Sequence, residues 1–427
     1  MKPRVLYVTP IFGYPALGGP RLRTYNTLLA LARCADVSLY LTAQPDTSDR
    51  AATRSHLLTF LRDVVWPAPP TSPPNGLVRR LARAVLPETV RAAIRRRRAS
   101  DAEAPVDSKS TAPALLDDLE SWIAEHRPDV IWLGFGGISY DLVPLKERTG
   151  LPLVLETECV WSRFILRELP FAADPARRAA IQREGVAKEA EERRAAQHVD
   201  VTTAVSEVDA DYFRALAPDP SSVVQVSNVV DVAAYQADAP RADLLQPAFV
   251  FAGSLSRGTA NVDATCWLVD EILPRVWAKR PDVHLYLVGR DPAPEVAARR
   301  SQRVHVTGEV PSIVPYLRGC AAAVVPLRWE SGTRFKILEA FACGAPVIST
   351  TLGAEGLAVE HDVHLLLADG TEAFALAMLR VVEEAAVGER LMGPAFELVR
   401  REYDISSAER QVASVLARIG VGDRASV

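Results

Sequence analysis

Short apolar runs of strand length alternate with longer segments of helical spacing along most of this chain. "RVLYVTP" reads as a first strand. It is followed by the loop "IFGYPALGGP", the helix "RLRTYNTLLALARC" and a second strand "DVSLYLTA", a βαβ opening. The proline-rich stretch 67–75, a basic segment and the polar stretch 99–113 interrupt the pattern. It resumes with the helix "ALLDDLESWIAEH", the strands "DVIWLGF" and "LPLVLETE", and the charged helix "PARRAAIQREGVAKEAEERRAAQH". "VDVTTAVS" and "SVVQVSN" complete a first half, and 229–247 reads as a linker.

The second half opens on the strand "AFVFAGS" and the helix "VDATCWLVDEILPRVWAKR". The strands "VHLYLVG" and "VHVTG", the helix "VPSIVPYLRGC" and the strand "AAAVVPL" follow, then the helix "RFKILEAFAC", the strand "PVIST" and a helix over 372–385. Strand–helix–strand repetition predicts parallel sheets and an α/β fold in two halves. Ligands of such sheets gather at the carboxyl ends of the strands, so two facing halves would enclose a cleft.

The 427 residues suit two domains of ordinary size, and 48% hydrophobic with 24% charged content describes a globular chain. A net charge of −4 gives no general reason to expect nucleic-acid binding. No apolar stretch reaches the length of a membrane span, and "MKPRVLYVTPIF" is too short for a signal core. The five scattered cysteines show no metal-ligand spacing and suit a reducing, cytoplasmic setting.

Candidate chemistry concentrates in "RWESGTRFKILEAFACGAPVIST", 328–350. Arg334 and Lys336 fall in the first turns of a helix, where the helix dipole makes positive charge unwelcome. An anion held by the small residues Ser331, Gly332 and Thr333 would remove the conflict. The alternative is a pair of solvated side chains. With only six lysines in the chain, Lys336 stands out from the background.

The order of these motifs resembles the family-four glycosyltransferases of GT-B architecture, over nearly the whole chain. The resemblance is strongest from 248 to 358, in "FAGSLSRGTANVDATCWLVDEILP", "VHVTGEVPSIVPYL" and "SGTRFKILEAFACGAPVISTTLGAEGL". "GGPRLRTYNTLLALA" resembles the family's N-terminal glycine loop, and "VSN" with Asp231 its domain junction. The resemblance implies two Rossmann-like domains, an acceptor domain at 1–228 and a donor domain at 229–404. A C-terminal helix, 405–427, is expected to pack back on the first domain. It also implies a nucleotide-sugar donor such as a UDP- or GDP-sugar, a glycan, lipid-linked or natural-product acceptor, retention of anomeric configuration, and no metal or other cofactor. A nucleotide-sugar epimerase and a non-catalytic binding subunit are the competing readings.

By the same resemblance, Gly18, Gly19, Ser254, Ser331, Gly332, Thr333 and Val310 would line the donor site, and Glu339 would accept from ribose hydroxyls. Lys336, Arg257 and Arg334 would carry the diphosphate. The family's usual first glutamate of a spaced pair is Ser331 here, its arginine after the first C-domain strand is Ser254, and its histidine after the fourth N-domain strand is Glu158. Glu158 could then orient a substrate hydroxyl. Glu156 and Glu158 alternate and could share a face, raising each other's pKa, or could simply face solvent.

Asp209-x-Asp211 mimics a metal motif, yet side chains two apart on a helix diverge, so no metal role is expected. His284 and His305 read as strand residues. Residues 77–98 carry eight arginines and one glutamate at amphipathic spacing. They are a candidate contact for an acidic lipid or phosphorylated acceptor at the inner membrane face, or a solvated helical hairpin. The absence of GxGxxG argues against a nicotinamide dinucleotide site.

Overall fold

The computed structural model describes residues 2–67, 112–236 and 240–421. The basic segment 77–98 lies outside them.

The first sheet contains β1 (Arg4–Thr9), β2 (Asp36–Leu41), β3 (Asp63–Val65), β4 (Val130–Leu133), β5 (Leu153–Glu156), β6 (Val201–Ala204) and β7 (Val223–Gln225). All pairings are parallel, in the order β3-β2-β1-β4-β5-β6-β7. The second sheet contains β8 (Ala248–Ala252), β9 (His284–Val288), β10 (Val304–Gly308), β11 (Ala322–Val325), β12 (Val347–Ser349) and β13 (Leu366–Leu367). Its order, β10-β9-β8-β11-β12-β13, is also parallel throughout. Each sheet reverses its winding once, between β1 and β4 and between β8 and β11. Those reversals place a crevice at the carboxyl ends of these strands.

Around the first sheet lie α1 (Gly19–Cys34), α2 (Arg50–Leu57), α3 (Ala112–His126), α4 (Trp161–Leu166), α5 (Pro175–His198) and α6 (Glu207–Arg214). The second is accompanied by α7 (Ala260–Trp267), α8 (Leu273–Trp277), α9 (Val314–Gly319), α10 (Phe335–Ala342), α11 (Thr371–Glu383) and α12 (Ala385–Glu402). The last helix, α13 (Ile405–Arg418), returns to the first domain.

Alternation along β1 explains how one strand serves two cores. Val5 and Tyr7 join the cluster that contains Leu28 of α1 and Val412 of α13. Leu6 and Val8 join the opposite cluster with Leu119 of α3. Burial on both faces is what near-continuous apolar strands in a parallel sheet require. The chain crosses between sheets twice, and the two passes pair: Val230 N–H donates to the Tyr403 carbonyl at 2.9 Å, and Val232 N–H to Asp404 Oδ1 at 3.1 Å.

Two helices differ from the sequence expectation, both through proline. The single helix expected over 262–280 is α7, a π turn over Leu268–Ile272, and α8. Pro274 lacks an N–H and its ring opposes the preceding turn, so the wider turn absorbs it. The helix expected from Val310 starts only at Val314, which leaves Pro315 in the first turn, where its missing donor costs nothing.

Candidate active site

Two helices from different domains begin at the same place. Gly19 is the first residue of α1 and Phe335 the first of α10. A methyl group built on Gly19 would sit 3.3 Å from the Phe335 ring. Neither helix has a side-chain cap or an acidic residue in its first turn. Two sets of unpaired N–H groups, each the positive end of a dipole, therefore converge in the crevice.

Lys336 adds a full charge to this positive end. Its ammonium donates to Asn261 Oδ1 at 2.7 Å and lies 4.2 Å from the Phe251 ring centroid. Asn261 in turn donates through Nδ2 to the Ser254 carbonyl at 2.8 Å. Asn261 thus couples the loop after β8 to the start of α10, a role that spacing in the sequence did not reveal. Burial pushes the Lys336 ammonium down to about 8. A Cβ on Gly253 would lie 3.2 Å from Lys336 Nζ, so this loop passes close to the charge. Ser254 itself pairs its hydroxyl with Ser256 Oγ at 2.9 Å.

The Ser331–Gly332–Thr333 loop, expected as small residues around an anion, also packs against the first domain. Ser331 Oγ accepts from Val160 N–H at 3.3 Å, and Thr333 Oγ1 accepts from Asn228 Nδ2 at 2.8 Å. Both hydroxyls are engaged by the first domain. Gly332 has φ 78°, and a Cβ there would stand 2.5 Å from the Glu158 carbonyl. Only glycine lets the loop pack so closely against the end of β5.

Arg334 does not extend into the crevice with Lys336. It is buried and turned back on its own loop, donating to the carbonyls of Ser331, at 2.8 Å, and Gly332. Those carbonyls offset the charge that the helix end disfavours, which resolves the conflict seen in the sequence without a ligand on Arg334. Burial holds its guanidinium below the ordinary range. Arg257 is not brought to the cluster either. Its side chain is 70% exposed and meets Glu295 at 3.3 Å. Val310 packs against the hydrophobic core of the second domain.

Glu339 stands one turn beyond Lys336 on α10 and accepts from Tyr235 Oη at 2.8 Å. Burial raises its pKa, so its carboxylate is poised to gain from further donors. Gly18, with φ 83° and open space around it, caps α1 by backbone alone.

The two strand-end glutamates separate in role. Glu156 is 1% exposed rather than facing solvent. It meets Arg23 Nε at 2.6 Å and accepts from Tyr7 Oη and Thr27 Oγ1 at 2.9 Å and Trp132 Nε1 at 2.7 Å. These donors make it a structural centre. Glu158 accepts from Trp161 Nε1, while its Oε2 is buried without a partner. Burial pushes its carboxyl up to about 8, with Glu156 a lesser contribution. It lies beside Gly332, on the first-domain side of the loop that leads into Lys336.

Asp209 is buried as part of the α6 cap, where its backbone N–H donates to Ser206 Oγ at 3.2 Å, while Asp211 pairs outward with Arg214. His284 and His305 lie on adjacent strands, their ring nitrogens 3.1 Å apart. Beside the crevice, Asp46 pairs with Arg21 of the first domain and lies 3.8 Å from Arg290 of the second. Asp46 is pinned to the loop before Gly18 by Tyr14 N–H at 3.1 Å, and the Arg290 carbonyl holds Leu255 N–H at 3.1 Å. One ionic contact thus joins the two loops that lead to the site.

Residues 246–384 match the sequence pattern of the family described as Glycosyl transferases group 1. No curated protein matches the chain by sequence. Among solved structures, sucrose-phosphate synthase from Thermosynechococcus elongatus shares the fold with a TM-score of 0.69 at 16% identity, covering 98% of this chain and 99% of its own. HepE from Anabaena, solved with UDP and glucose, gives 0.64 at 15% identity, with coverage of 97% and 99%. A glycosyltransferase from Rickettsia africae gives 0.62 at 9%, covering 98% of each chain. Residues 246–384 are thus similar to the group 1 glycosyltransferases, in a chain that has the two Rossmann-like domains of the GT-B fold.

Proposed function

We propose that the chain transfers a sugar from a nucleoside-diphosphate donor, with a UDP-sugar the first candidate, to an acceptor hydroxyl. The observation that carries this is the meeting of two uncapped helix starts, α1 and α10, around Lys336. Like poles brought together this way are reconciled by a multivalent anion. HepE, which shares the fold, is described in complexes with UDP and with UDP-glucose.

In this reading the diphosphate lies against the first turns of α10 and α1, with its charge on Lys336. Glu339 accepts from the ribose. As the bond to the anomeric carbon breaks, negative charge grows on the departing diphosphate, and preorganised donors there are usually the largest catalytic contribution. Lys336 and two helix ends supply that field, so we propose transfer without a metal. Retention is the course expected from the family resemblance. The acceptor hydroxyl would attack from the leaving-group side, and no protein nucleophile is required. Glu158, protonated near neutral pH, would donate from its unpartnered oxygen to a substrate hydroxyl. The Asp46–Arg290 contact would hold the domains closed and water out.

A thermal-shift comparison of UDP, GDP, ADP and TDP tests the donor site. One diphosphate at a hundred times its Kd should stabilise the protein by about 2.7 kcal/mol. Product analysis then separates the readings: a transferase frees the diphosphate, and an epimerase returns an isomeric sugar nucleotide.

A further inference from the structure

A cavity of about 620 Å³ opens beside α4, with Arg328 of the second domain contributing to a wall otherwise built by the first. Its volume lies in the range of small-molecule sites. Ser162 and Tyr212 line it, with their hydroxyls 3.0 Å apart. Both donate to Glu192, a fully buried carboxylate of α5: Ser162 Oγ at 2.5 Å and Tyr212 Oη at 2.6 Å, with Ser162 N–H at 3.1 Å. With their protons committed to Glu192, both hydroxyl oxygens have only lone pairs left to offer.

The rest of the lining fits the same kind of ligand. Phe171 is 39% exposed, with the Arg328 guanidinium 4.8 Å from its ring centroid. Glu189, 3.6 Å from Arg193, adds acceptors, and Arg163, which spends one N–H on Asp209, adds its remaining donors beside the Tyr212 ring. Two arginines of the lining already have their forks filled, Arg328 by Asp263 and Arg167 by Glu355. A phosphate or carboxylate would find Arg163 already facing Asp209 at 3.5 Å, and would meet lone pairs and Glu189. A neutral ring rich in hydroxyls could donate to Ser162, Tyr212 and Glu189, accept from Arg163, and lay its C–H face on Phe171.

The cavity adjoins the candidate donor site through the backbone. Val160, just before α4, donates to Ser331 Oγ, and Arg167 donates to the Glu330 carbonyl at 2.7 Å. Both contacts hold the loop that leads into Lys336. We infer that this cavity is the acceptor subsite and that its occupant is a neutral oligosaccharide. The inference rests on the transfer reading above and names its second substrate class.

The test is a binding screen of the full chain against an array of neutral, phosphorylated and lipid-phosphate-linked glycans. It is repeated with Tyr212→Phe and with Phe171→Ala/Glu189→Ala, and a UDP thermal shift is recorded on every variant. Neutral oligosaccharides should be retained by the wild type and bound at least tenfold more weakly by both variants, with the UDP shift unchanged. Retention of phosphorylated glycans alone, retention of no glycan, or equal retention by the variants would overturn the inference. Variant-sensitive saccharide binding in a protein with no UDP shift would leave this subsite standing and count against the donor assignment instead.

Discussion

Gly19 and Phe335 open two helices that belong to different domains, and only 3.3 Å separates the Phe335 ring from where a Gly19 side chain would start. Their contact puts two positive dipole ends into one crevice with Lys336 beside them. Stability alone does not favour such an arrangement, since each cation at a helix start costs about 0.3–1 kcal/mol when exposed. An anionic ligand would turn the same arrangement into binding energy.

The first prediction concerns pH. Burial lowers Lys336 to about 8, so the free protein loses this proton as pH rises past that point. A bound diphosphate favours the charged amine, so binding above pH 8 must take up a proton. UDP affinity should fall by up to about tenfold per pH unit above pH 8. Lys336→Met should bind at least tenfold more weakly at neutral pH and show no such slope. Calorimetric titration across the pH series checks both, and a Lys336→Met slope equal to wild type would exclude Lys336 as the titrating group.

Gly332→Ala tests the loop packing. The substitution forces a side chain onto φ 78° and to 2.5 Å from the Glu158 carbonyl, a backbone atom that cannot swing aside. The Ser331–Thr333 loop should lift from the first domain, with turnover reduced at least tenfold and a lower melting temperature. Glu339→Ala, which removes the expected ribose acceptor, should also cost at least tenfold in turnover but leave the fold intact. Activity and melting curves on both variants distinguish the two effects.

The neighbouring glutamates should respond in opposite ways. Glu156→Ala leaves Arg23 buried without its carboxylate and should cost about 3–5 kcal/mol. Glu158 has a raised pKa, so the folded protein keeps a proton that the unfolded chain releases between 4.5 and about 8. Its contribution to stability is intact below that window and is lost as pH rises through it. Glu158→Gln should therefore melt higher than wild type, by a margin that grows from pH 5 to pH 8, about 2–4 °C for each kcal/mol relieved. A margin that shrinks with pH would contradict the assignment.

Arg290→Ala should weaken the contact between the Asp46 and Arg290 loops beside the crevice without damaging either domain. Asp46 is 59% exposed, so the stability change should stay within about 1 kcal/mol. The donor KM should rise about threefold or more, and solution scattering should show a larger radius of gyration. A compact variant with unchanged KM would remove this contact from the closure step.

The fold was legible because period and composition repeat. Apolar strands buried on both faces, such as β1, and helices between them leave little choice but parallel sheets. Proline effects inside helices were less legible, since the turn that absorbs Pro274 depends on the packing around it. Near the candidate site, the position of Lys336 and of the glycine loop at helix starts was readable, and both lie there. The direction of the Arg334 side chain was not legible, since sequence gives none, and it turns back to its own carbonyls. The direction of Arg257, which meets Glu295, was not legible for the same reason. Asn261 carried no signal, and the cavity joins residues 162, 189, 212 and 328, which meet only in the fold.

A crystal structure of the protein with UDP tests the binding of a diphosphate between α1 and α10 most directly. Both phosphates should lie within hydrogen-bonding reach of Lys336 Nζ and of the first-turn N–H groups of α10, with Gly18 and Gly19 closing over them. A well-ordered diphosphate bound away from the Gly19–Phe335 junction would contradict it.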